Sequence, residues 1–441
     1  MIYEAESGDL TVVASGDTMI TRRLSVFREP SFVSLVDLFR QADVGYTNLE
    51  MLIHEYEHPP GCAGGTYTAS EPLNLKDLKW AGINLVSTAN NHSYDYGEGG
   101  VLTNLKNLRA VDLAHAGTGG NLSEARAPGY LDTPKGRVAL ISASSTFPDA
   151  GRALDQRPDA RGRPGLNALR FTSTHTVDRT AFDQMKRANR ELGFEAANSA
   201  LRRFRPAGAV IEDTDTRMGF LGAKFVLGEE FKTSTEPNAR DMEGNLKWIR
   251  DARRMADWVF VAVHCHESGA APEEPPEFLV TFAHACIDEG ADGFFGHGPH
   301  FTRGVEIYHG KPIFYSLGNF IFQNETVRWQ PSFNYESVHL DHEATPADFY
   351  DARTEKGTRG FLGDPVYWEG VVARCEYRKG GLSRVTLHPI DLGYGRPRSQ
   401  RGRPTLAEGA SVLKSLERVR KLSRPFGVEL VVNDGVGVIT P

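Results

Sequence analysis

Hydrophobic and polar positions follow two alternating patterns over the first 145 residues. Short apolar runs rich in β-branched residues predict strands at 11–15, 43–48, 84–88 and 137–142. Segments with helical spacing lie between them and predict helices at 31–41, 73–81 and 99–110. This alternation is typical of an α/β core in which the loops after the strands carry the functional residues.

The same alternation returns after residue 240. It predicts a helix at 242–256, a strand at 258–262, a helix at 276–289 and a strand at 291–295. Further on, it predicts paired strands at 370–377 and 382–389, a helix at 405–422 and a strand at 428–432. We therefore expect a core within residues 8–322, with the strands and helix of 370–441 packed on it.

Two insertions interrupt this pattern. Residues 146–245 begin with a stretch rich in Arg, Asp, Gly and Pro and continue as a polar, weakly periodic segment. A long irregular stretch inside a compact domain predicts either a lid over a site or a disordered insertion. Its arginines either bind substrate carboxylates or keep a solvated loop soluble. A second insertion, 323–369, is aromatic and charged.

Composition excludes several classes of protein. The 441 residues are 40% hydrophobic and 24% charged, as in ordinary globular proteins, and the net charge of −7 argues against a nucleic-acid-binding surface. The sequence contains no apolar run of about 20 residues, and its start resembles neither a signal peptide nor a lipidation motif. The four cysteines are widely spaced, which predicts reduced thiols. We expect a cytoplasmic protein with no membrane or nucleic-acid partner.

Four histidines follow two of the predicted strands. His264 and His266 end the first strand, and His297 and His300 end the second. Neutral imidazole is the commonest metal ligand in proteins, and α/β sheets build their sites at the carboxyl ends of strands. A single buried histidine is usually a core residue, but four at two successive strand ends predict a metal site.

Oxygen ligands follow three other strands. Asp17 follows the first and Glu50 the second, although a turn aspartate and a helix-start charge are alternative interpretations. The loop after the third contains Asn91, His92 and Asp95. Carboxylates combined with imidazoles suit Mn, Fe, Zn or Co, and two such ions lower the pKa of a bound water for hydrolysis. The sequence has no P-loop, dinucleotide fingerprint or serine nucleophile elbow.

These motifs together resemble those of one family. Gly16-Asp17, Asn48-Leu-Glu50, Ala89-Asn-Asn-His92 with Asp95-Tyr-Gly97, the strand-end histidines, and Tyr315-Ser-Leu-Gly-Asn-Phe320 occur in this order. As an ordered set they resemble the CapA family, the poly-γ-glutamate capsule synthesis proteins of the calcineurin-like metallophosphatase superfamily. The likeness covers roughly 8–145 and 245–322, about half the chain. Each motif alone is weak, whereas the ordered set is specific.

The resemblance implies a four-layer α/β/β/α sandwich with a dinuclear metal centre at one edge of its sheets. It implies that Asp17 ligates one metal and that Glu50 bridges both. His300 would serve the first metal, and the second would take Asn91, His264 and one histidine of 297–300. The expected cofactor is therefore two divalent ions.

The resemblance also implies roles in catalysis and substrate binding. His92 would be the general acid that protonates the leaving group, and Asp95 would orient it. Tyr315 and Asn319 would contact the substrate.

The sequence departs from the family pattern at three points. The usual His-Pro-His is Gly298-Pro-His300 here, so either His266 or His297 must replace the missing ligand. The superfamily's Asp-x-His start is Asp17-Thr-Met19, which removes one imidazole. The capsule proteins are membrane-anchored, whereas no anchor is recognisable here.

Three functions agree with these features. The leading hypothesis is a metal-dependent hydrolase that cleaves an amide or γ-glutamyl-like bond in a small or short peptide-like substrate. The second is a phosphoesterase, the commoner chemistry of the superfamily. The third is a non-catalytic binding protein with a degenerate metal site. The oligomeric state is not predicted by any of these features.

Overall fold

A computed structural model describes residues 8–62, 65–206 and 208–441 of the chain. The strands and helices predicted for the first 145 residues all form, and several short strands accompany them. The elements are β1 (Leu10–Met19), α1 (Pro30–Arg40), β2 (Val44–Leu49), β3 (Leu52–Ile53), β4 (Ala69–Ser70), α2 (Leu73–Trp80), β5 (Leu85–Ser87), α3 (Gly97–Ala110), β6 (Ala114–Ala116), β7 (Thr118–Gly119), α4 (Leu122–Arg126), β8 (Gly129–Thr133) and β9 (Gly136–Ser144).

The insertion 146–245 is more ordered than the sequence predicts. Its elements are β10 (Gly165–Leu166), β11 (Phe171–Val177), α5 (Arg179–Glu191), α6 (Phe194–Arg202), β12 (Arg217–Phe220), β13 (Ala223–Leu227) and β14 (Lys232–Pro237). Four of these strands form a separate sheet in the order β12-β13-β11-β14. The expectation of an irregular stretch is thus corrected. Its small apolar cluster, with Val177, Phe182 and Met218 as the buried members, leaves the strands half exposed and their hydrophobic pattern weak.

The remaining elements follow the predicted order. They are α7 (Ala239–Met255), β15 (Trp258–His264), α8 (Glu277–Asp288), β16 (Gly293–His297), β17 (Val305–Tyr308), β18 (Lys311–Phe314), β19 (Asn319–Phe322), α9 (Ser332–Ser337), α10 (Pro346–Arg353), β20 (Glu369–Arg378), β21 (Gly381–Asp391), β22 (Thr405–Leu406), α11 (Ala410–Ser423), β23 (Val431–Asn433) and β24 (Val436–Ile439). The last helix begins at Ala410, later than predicted, because Thr405 and Leu406 pair with β21.

Two mixed sheets form the centre of the fold. The first has the order β23-β24-β21-β20-β1-β2-β5-β6, with β19 also beside β1 and β22 beside β21. The second has the order β17-β18-β16-β15-β9-β8. β1 is parallel to β2 and β19, and β15 is parallel to β9 and β16. Because parallel strands end at the same edge, the predicted ligands of each sheet come together.

Alternating side chains distribute the core over both faces of each sheet. Val12 of β1 belongs to the same buried cluster as Phe260 and Phe295 of the second sheet, so this cluster lies between the sheets. Val13, the next residue, packs instead with α1, α2 and α3. In the second sheet, Val261 packs with α7 and α8. Strand alternation therefore places one face of each sheet against the other sheet and the opposite face against helices.

Candidate metal centre

An irregularity in β1 presents Asp17 at the edge of the first sheet. The pairing of β1 with β2 shifts register between Ala14 and Asp17. Here the chain passes so close to Gly318 that a Cβ on Gly16 would lie 1.7 Å from the Gly318 carbonyl oxygen. The Asp17 carboxylate accepts hydrogen bonds from Asn48 Nδ2 at 2.8 Å and from the Gly298 amide at 3.0 Å. Glycine at position 16 is thus a requirement of the site.

Glu50 lies directly after β2 and is completely buried. Neither of its carboxylate oxygens has a hydrogen-bond partner among the described residues. Burial and the nearby Asp17 raise the pKa of the Glu50 carboxyl well above its usual value. A buried carboxylate without a partner is costly, and a bound cation removes that cost.

Three buried histidines from the second sheet and its loops surround the two carboxylates. His264 lies between them, with Nδ1 3.6 Å from Asp17 Oδ1 and Nε2 3.6 Å from Glu50 Oε1. His300 spans them too, at 3.6 Å from Asp17 Oδ2 and 3.7 Å from Glu50 Oε1. His297 Nδ1 is 3.7 Å from Asp17 Oδ1. Burial lowers the pKa of all three imidazoles, which favours the neutral form that binds metals.

Both candidates for the replacement ligand enter the cluster, but on different sides. His297 pairs in register with His264 across β15 and β16 and approaches Asp17. His266 Nε2 lies 2.9 Å from His264 Nε2, and both of these residues form a possible ligand group with Glu50. Three overlapping groups of donors could therefore hold a metal ion: Asp17 with His264 and His297, Glu50 with His264 and His266, and both carboxylates with His300.

Gly298 itself has a structural reason to lack a side chain. Its φ of 123° lies in the region that favours glycine, and a Cβ would lie 2.8 Å from the Cys265 backbone nitrogen. Its amide donates to Asp17 Oδ2. A histidine at this position is incompatible with the backbone of this chain.

The loop after β5 places the predicted acid beside the cluster. His92 Nδ1 is 2.8 Å from Asp95 Oδ2, and His92 Nε2 is 3.9 Å from Glu50 Oε1. The Thr68 amide also donates to Asp95 Oδ2 at 2.7 Å, while burial raises the pKa of the Asp95 carboxyl. Asn91 is buried, and its amide oxygen lacks a hydrogen-bond partner within the described part of the chain.

Two residues that the sequence analysis missed connect the sheets. Asn48 donates to Asp17, and its own oxygen accepts a hydrogen bond from Ser87 Oγ at 2.9 Å. Ser87 Oγ lies 3.3 Å from His297 Nε2. Asn48 is two residues before Glu50, so strand alternation places both on the same face and could have indicated Asn48. Nothing in the sequence around Ser87 indicates its position.

The two predicted substrate contacts lie in different places. Asn319 makes two hydrogen bonds with His300. Its Oδ1 accepts from Nδ1 at 2.9 Å, and its Nδ2 donates to the backbone oxygen at 3.2 Å. It thus orients His300, and its position beside Nδ1 leaves Nε2 facing Glu50. Tyr315 lies elsewhere, because its ring packs on Phe426 in the helix-facing cluster of the second sheet and its hydroxyl donates to Glu306 at 2.6 Å. We therefore correct the prediction that Tyr315 contacts substrate.

A cavity of about 400 Å³ opens over the cluster. Asn91, His92, His266 and His300 form part of its wall. Residues of the 323–369 insertion, including Arg353, form another part. Among the described residues of 146–245, none lines this cavity.

Comparison with known proteins identifies the family of this chain. The family model described as "Bacterial capsule synthesis protein PGA_cap" matches residues 11–324. The chain belongs to this family. The resemblance to CapA proteins inferred from the motifs is thus confirmed, because the PGA_cap match spans all of them.

Individual relatives extend the PGA_cap match. The protein y4sH of Sinorhizobium fredii is 35% identical over 439 residues, covering 97% of this chain and 92% of the relative. "Capsule biosynthesis protein CapA" of Bacillus anthracis is 22% identical over 340 residues, covering 75% and 64%. "PGA biosynthesis protein CapA" of Bacillus subtilis is 35% identical over 143 residues, covering 29% and 37%. Within the described part of this PGA_cap protein, every helix is too short or too polar to span a bilayer.

Proposed function

We propose that this PGA_cap protein is a metal-dependent hydrolase with a dinuclear centre in a calcineurin-like α/β/β/α sandwich. The observation that carries the proposal is Glu50, a buried carboxylate that has no hydrogen-bond partner among the described residues and lies within 3.6–3.9 Å of three imidazoles. Carboxylates and imidazoles together suit a first-row transition metal. The superfamily resemblance implies two sheets with helices on both outer faces, and the buried clusters between the sheets and beneath the helices support this part of the proposal.

The donor set divides between two ions. Asp17 and His297 would hold one ion, and Glu50, His266 and Asn91 the other. His264 and His300, which span both carboxylates, would complete the two sets. When bound, the ions supply a water of lowered pKa and stabilise negative charge on the substrate.

His92 and Asp95 supply the proton for the leaving group. His92 Nδ1 donates to Asp95 Oδ2, which directs Nε2 toward Glu50 and the cavity. A protonated imidazole in this position donates its Nε2 proton to the departing group, and the buried carboxylate stabilises the imidazolium.

The family favours an amide bond as the target. The Bacillus subtilis relative is named for PGA biosynthesis, and the polymer of the CapA family is poly-γ-glutamate. A γ-glutamyl bond in a small or peptide-like substrate is therefore the first substrate class to test. A phosphoester is the second, because phosphoester hydrolysis is the commoner chemistry of the superfamily that this chain resembles.

The test combines metal analysis with two assays. Protein loaded with Mn²⁺ is analysed for metal content and assayed with a γ-glutamyl dipeptide and with an aryl phosphate. We expect about two ions per chain and turnover of the dipeptide. Glu50→Gln should lose metal and turnover, His92→Ala should lose turnover but keep metal, and the exposed control His342→Ala should do neither.

Each other result has a defined meaning. Turnover of the aryl phosphate alone would replace the amide substrate with a phosphoester. Less than one ion per chain and no turnover would contradict the hydrolase proposal and favour a binding protein. Unchanged turnover in His92→Ala would remove its role as the acid.

A further inference from the structure

Arg353 is the last residue of α10 and lies on the wall of the cavity over the metal centre. It also lines a second cavity of about 300 Å³, and Asn324, Phe361 and Tyr367 are common to both walls. The side chain is half-buried, and burial lowers the pKa of its guanidinium. Arg353 therefore lies on the wall that the cavity over the metal centre shares with the second cavity.

Within the described parts of the chain, the Arg353 guanidinium has no hydrogen bond and no ion pair. Glu325 lies close enough to oppose the lowering of the Arg353 pKa, but no ion pair forms between the two described side chains; Arg401 binds Glu325 Oε2 at 2.7 Å, and Glu325 Oε1 has no hydrogen-bond partner among the described residues. Other arginines of the insertion are paired, such as Arg359 with Glu355 at 2.8 Å. A half-buried guanidinium whose five N–H donors have no partner in the described residues can bind an anion through them.

The helix that carries Arg353 is fixed in place. Thr345 and Asp348 form a capping box at its N-terminus, and Asp351 pairs with Arg398 at its far end. Tyr350 is buried, and its hydroxyl donates to the Val327 carbonyl oxygen. A receptor that is held before binding loses little conformational entropy when a ligand arrives.

Asn324 adds an acceptor to the same wall. Its side chain is buried, and its Oδ1 has no hydrogen-bond partner among the described residues. Leaving such an oxygen unpaired costs free energy, so a donor on a bound ligand is favoured there. Arg353 and Asn324 together offer an anion-binding group beside a hydrogen-bond acceptor.

We infer that Arg353 forms a substrate-binding subsite for an anionic group in the cavity over the metal centre, and that Asn324 Oδ1 accepts a hydrogen bond from a donor on the same substrate. The inference rests on the proposed hydrolase function and deepens it. The anion is a carboxylate or a phosphate, because a guanidinium binds either through parallel N–H donors. The guanidinium beside the metal centre thus comes from the 323–369 insertion and not from the Arg-rich stretch of 146–245.

The test compares Arg353→Met with Arg359→Met, a matched change in the same insertion at an exposed, ion-paired arginine. Both variants are loaded with Mn²⁺ and titrated calorimetrically with glutarate and with inorganic phosphate. We expect Arg353→Met to weaken binding of one of these probes about 10- to 100-fold, as expected for a lost charge-assisted contact. Arg359→Met should bind like the unmodified protein. The weakened probe identifies the anion.

Kinetics separate substrate binding from a general structural effect. With a γ-glutamyl peptide that has a free carboxylate, Arg353→Met should raise KM at least tenfold and change kcat less than threefold. With the corresponding carboxamide, neither constant should change relative to the unmodified protein. Arg353→Lys, which keeps the charge, should recover part of the affinity. This recovery would show that the loss in Arg353→Met comes from the missing charge and not from misfolding.

The outcomes distinguish the subsite from the hydrolase. If no substrate is turned over but glutarate or phosphate binding depends on Arg353, the hydrolase proposal fails and the subsite stands. If Arg353→Met binds both probes like the unmodified protein, the subsite is overturned even where turnover is observed. Equal effects on the carboxylate and carboxamide substrates would overturn it as well.

Discussion

Restoring the family's histidine at position 298 should damage this protein. Gly298→His would recreate the His-Pro-His motif, and a reading of the sequence alone predicts a gain in metal binding. The structure predicts the opposite. A Cβ at this position would lie 2.8 Å from the Cys265 nitrogen and carbonyl carbon and 2.9 Å from its oxygen, on a backbone with φ of 123°.

The cost has two parts. A side chain in a positive-φ conformation costs about 1–2 kcal/mol. Forcing a contact of 2.8 Å against backbone atoms requires a shift of the chain, which in packed interiors costs about 1–3 kcal/mol. The shift would also move the Gly298 amide, which donates to Asp17. We therefore expect Gly298→Ala to lower the free energy of unfolding by roughly 2–5 kcal/mol and Gly298→His to lower it further.

Urea unfolding of the metal-free proteins measures this effect, because removal of metal eliminates differences in occupancy. Gly310→Ala is the matched control, since Gly310 has φ of 72° and no atom of the described residues lies within 4 Å of the added Cβ. It should show the backbone cost without the contact cost. The reasoning is refuted if Gly298→Ala destabilises no more than Gly310→Ala, or if Gly298→His unfolds like the unmodified protein and binds additional metal.

Three further predictions concern the site and the core. Asn319→Ala should weaken metal binding about 10- to 100-fold in a chelator competition, because Asn319 fixes the orientation of His300. Chelator should lower the thermal unfolding midpoint of the unmodified protein but not that of Glu50→Gln; equal shifts would contradict the assignment of Glu50. Burial lowers the pKa of His388 to about 4, whereas in the unfolded chain the imidazole has its ordinary pKa of 6.5. As the pH falls, the unfolded chain therefore binds a proton before the folded one does. The stability present above pH 6.5 declines as the pH falls toward 4. Between pH 8 and pH 5 the loss should be about 1–2 kcal/mol in urea unfolding, and His388→Gln should lack that component of the pH dependence.

Sequence patterns were most informative where a strand is buried on both faces. β15 and β16 read as continuous apolar runs, and their ends place His264 and His297 side by side as strand pairing requires. The strands and helices of the 146–245 insertion were not predicted, because its strands are half exposed and its core is small. Hydrophobic periodicity therefore predicts a strand or helix only where that element buries most of one face.

The pattern of hydrophobic and polar positions does not predict the conformation of single residues. Whether His266 or His297 would replace a missing ligand stayed open, because the pattern does not show which strand-end side chains face the cluster; in the structure His297 lies beside Asp17 and His266 beside His264. Tyr315 shares a motif with Asn319, yet its side chain faces the helices. Proximity in sequence did not reveal this difference, because Tyr315 follows β18 of the second sheet, whereas Asn319 begins β19 of the first.

The donors around the two carboxylates come from both sheets, with Asp17 and Glu50 on the first and His264 and His297 on the second. Neither half of the chain contains a complete site. During synthesis the carboxylates emerge long before the imidazoles that accompany them, so a growing chain cannot assemble the centre until residue 300 has left the ribosome. A cation bound there would link the two sheets, so only a chain in which both sheets have folded would retain it.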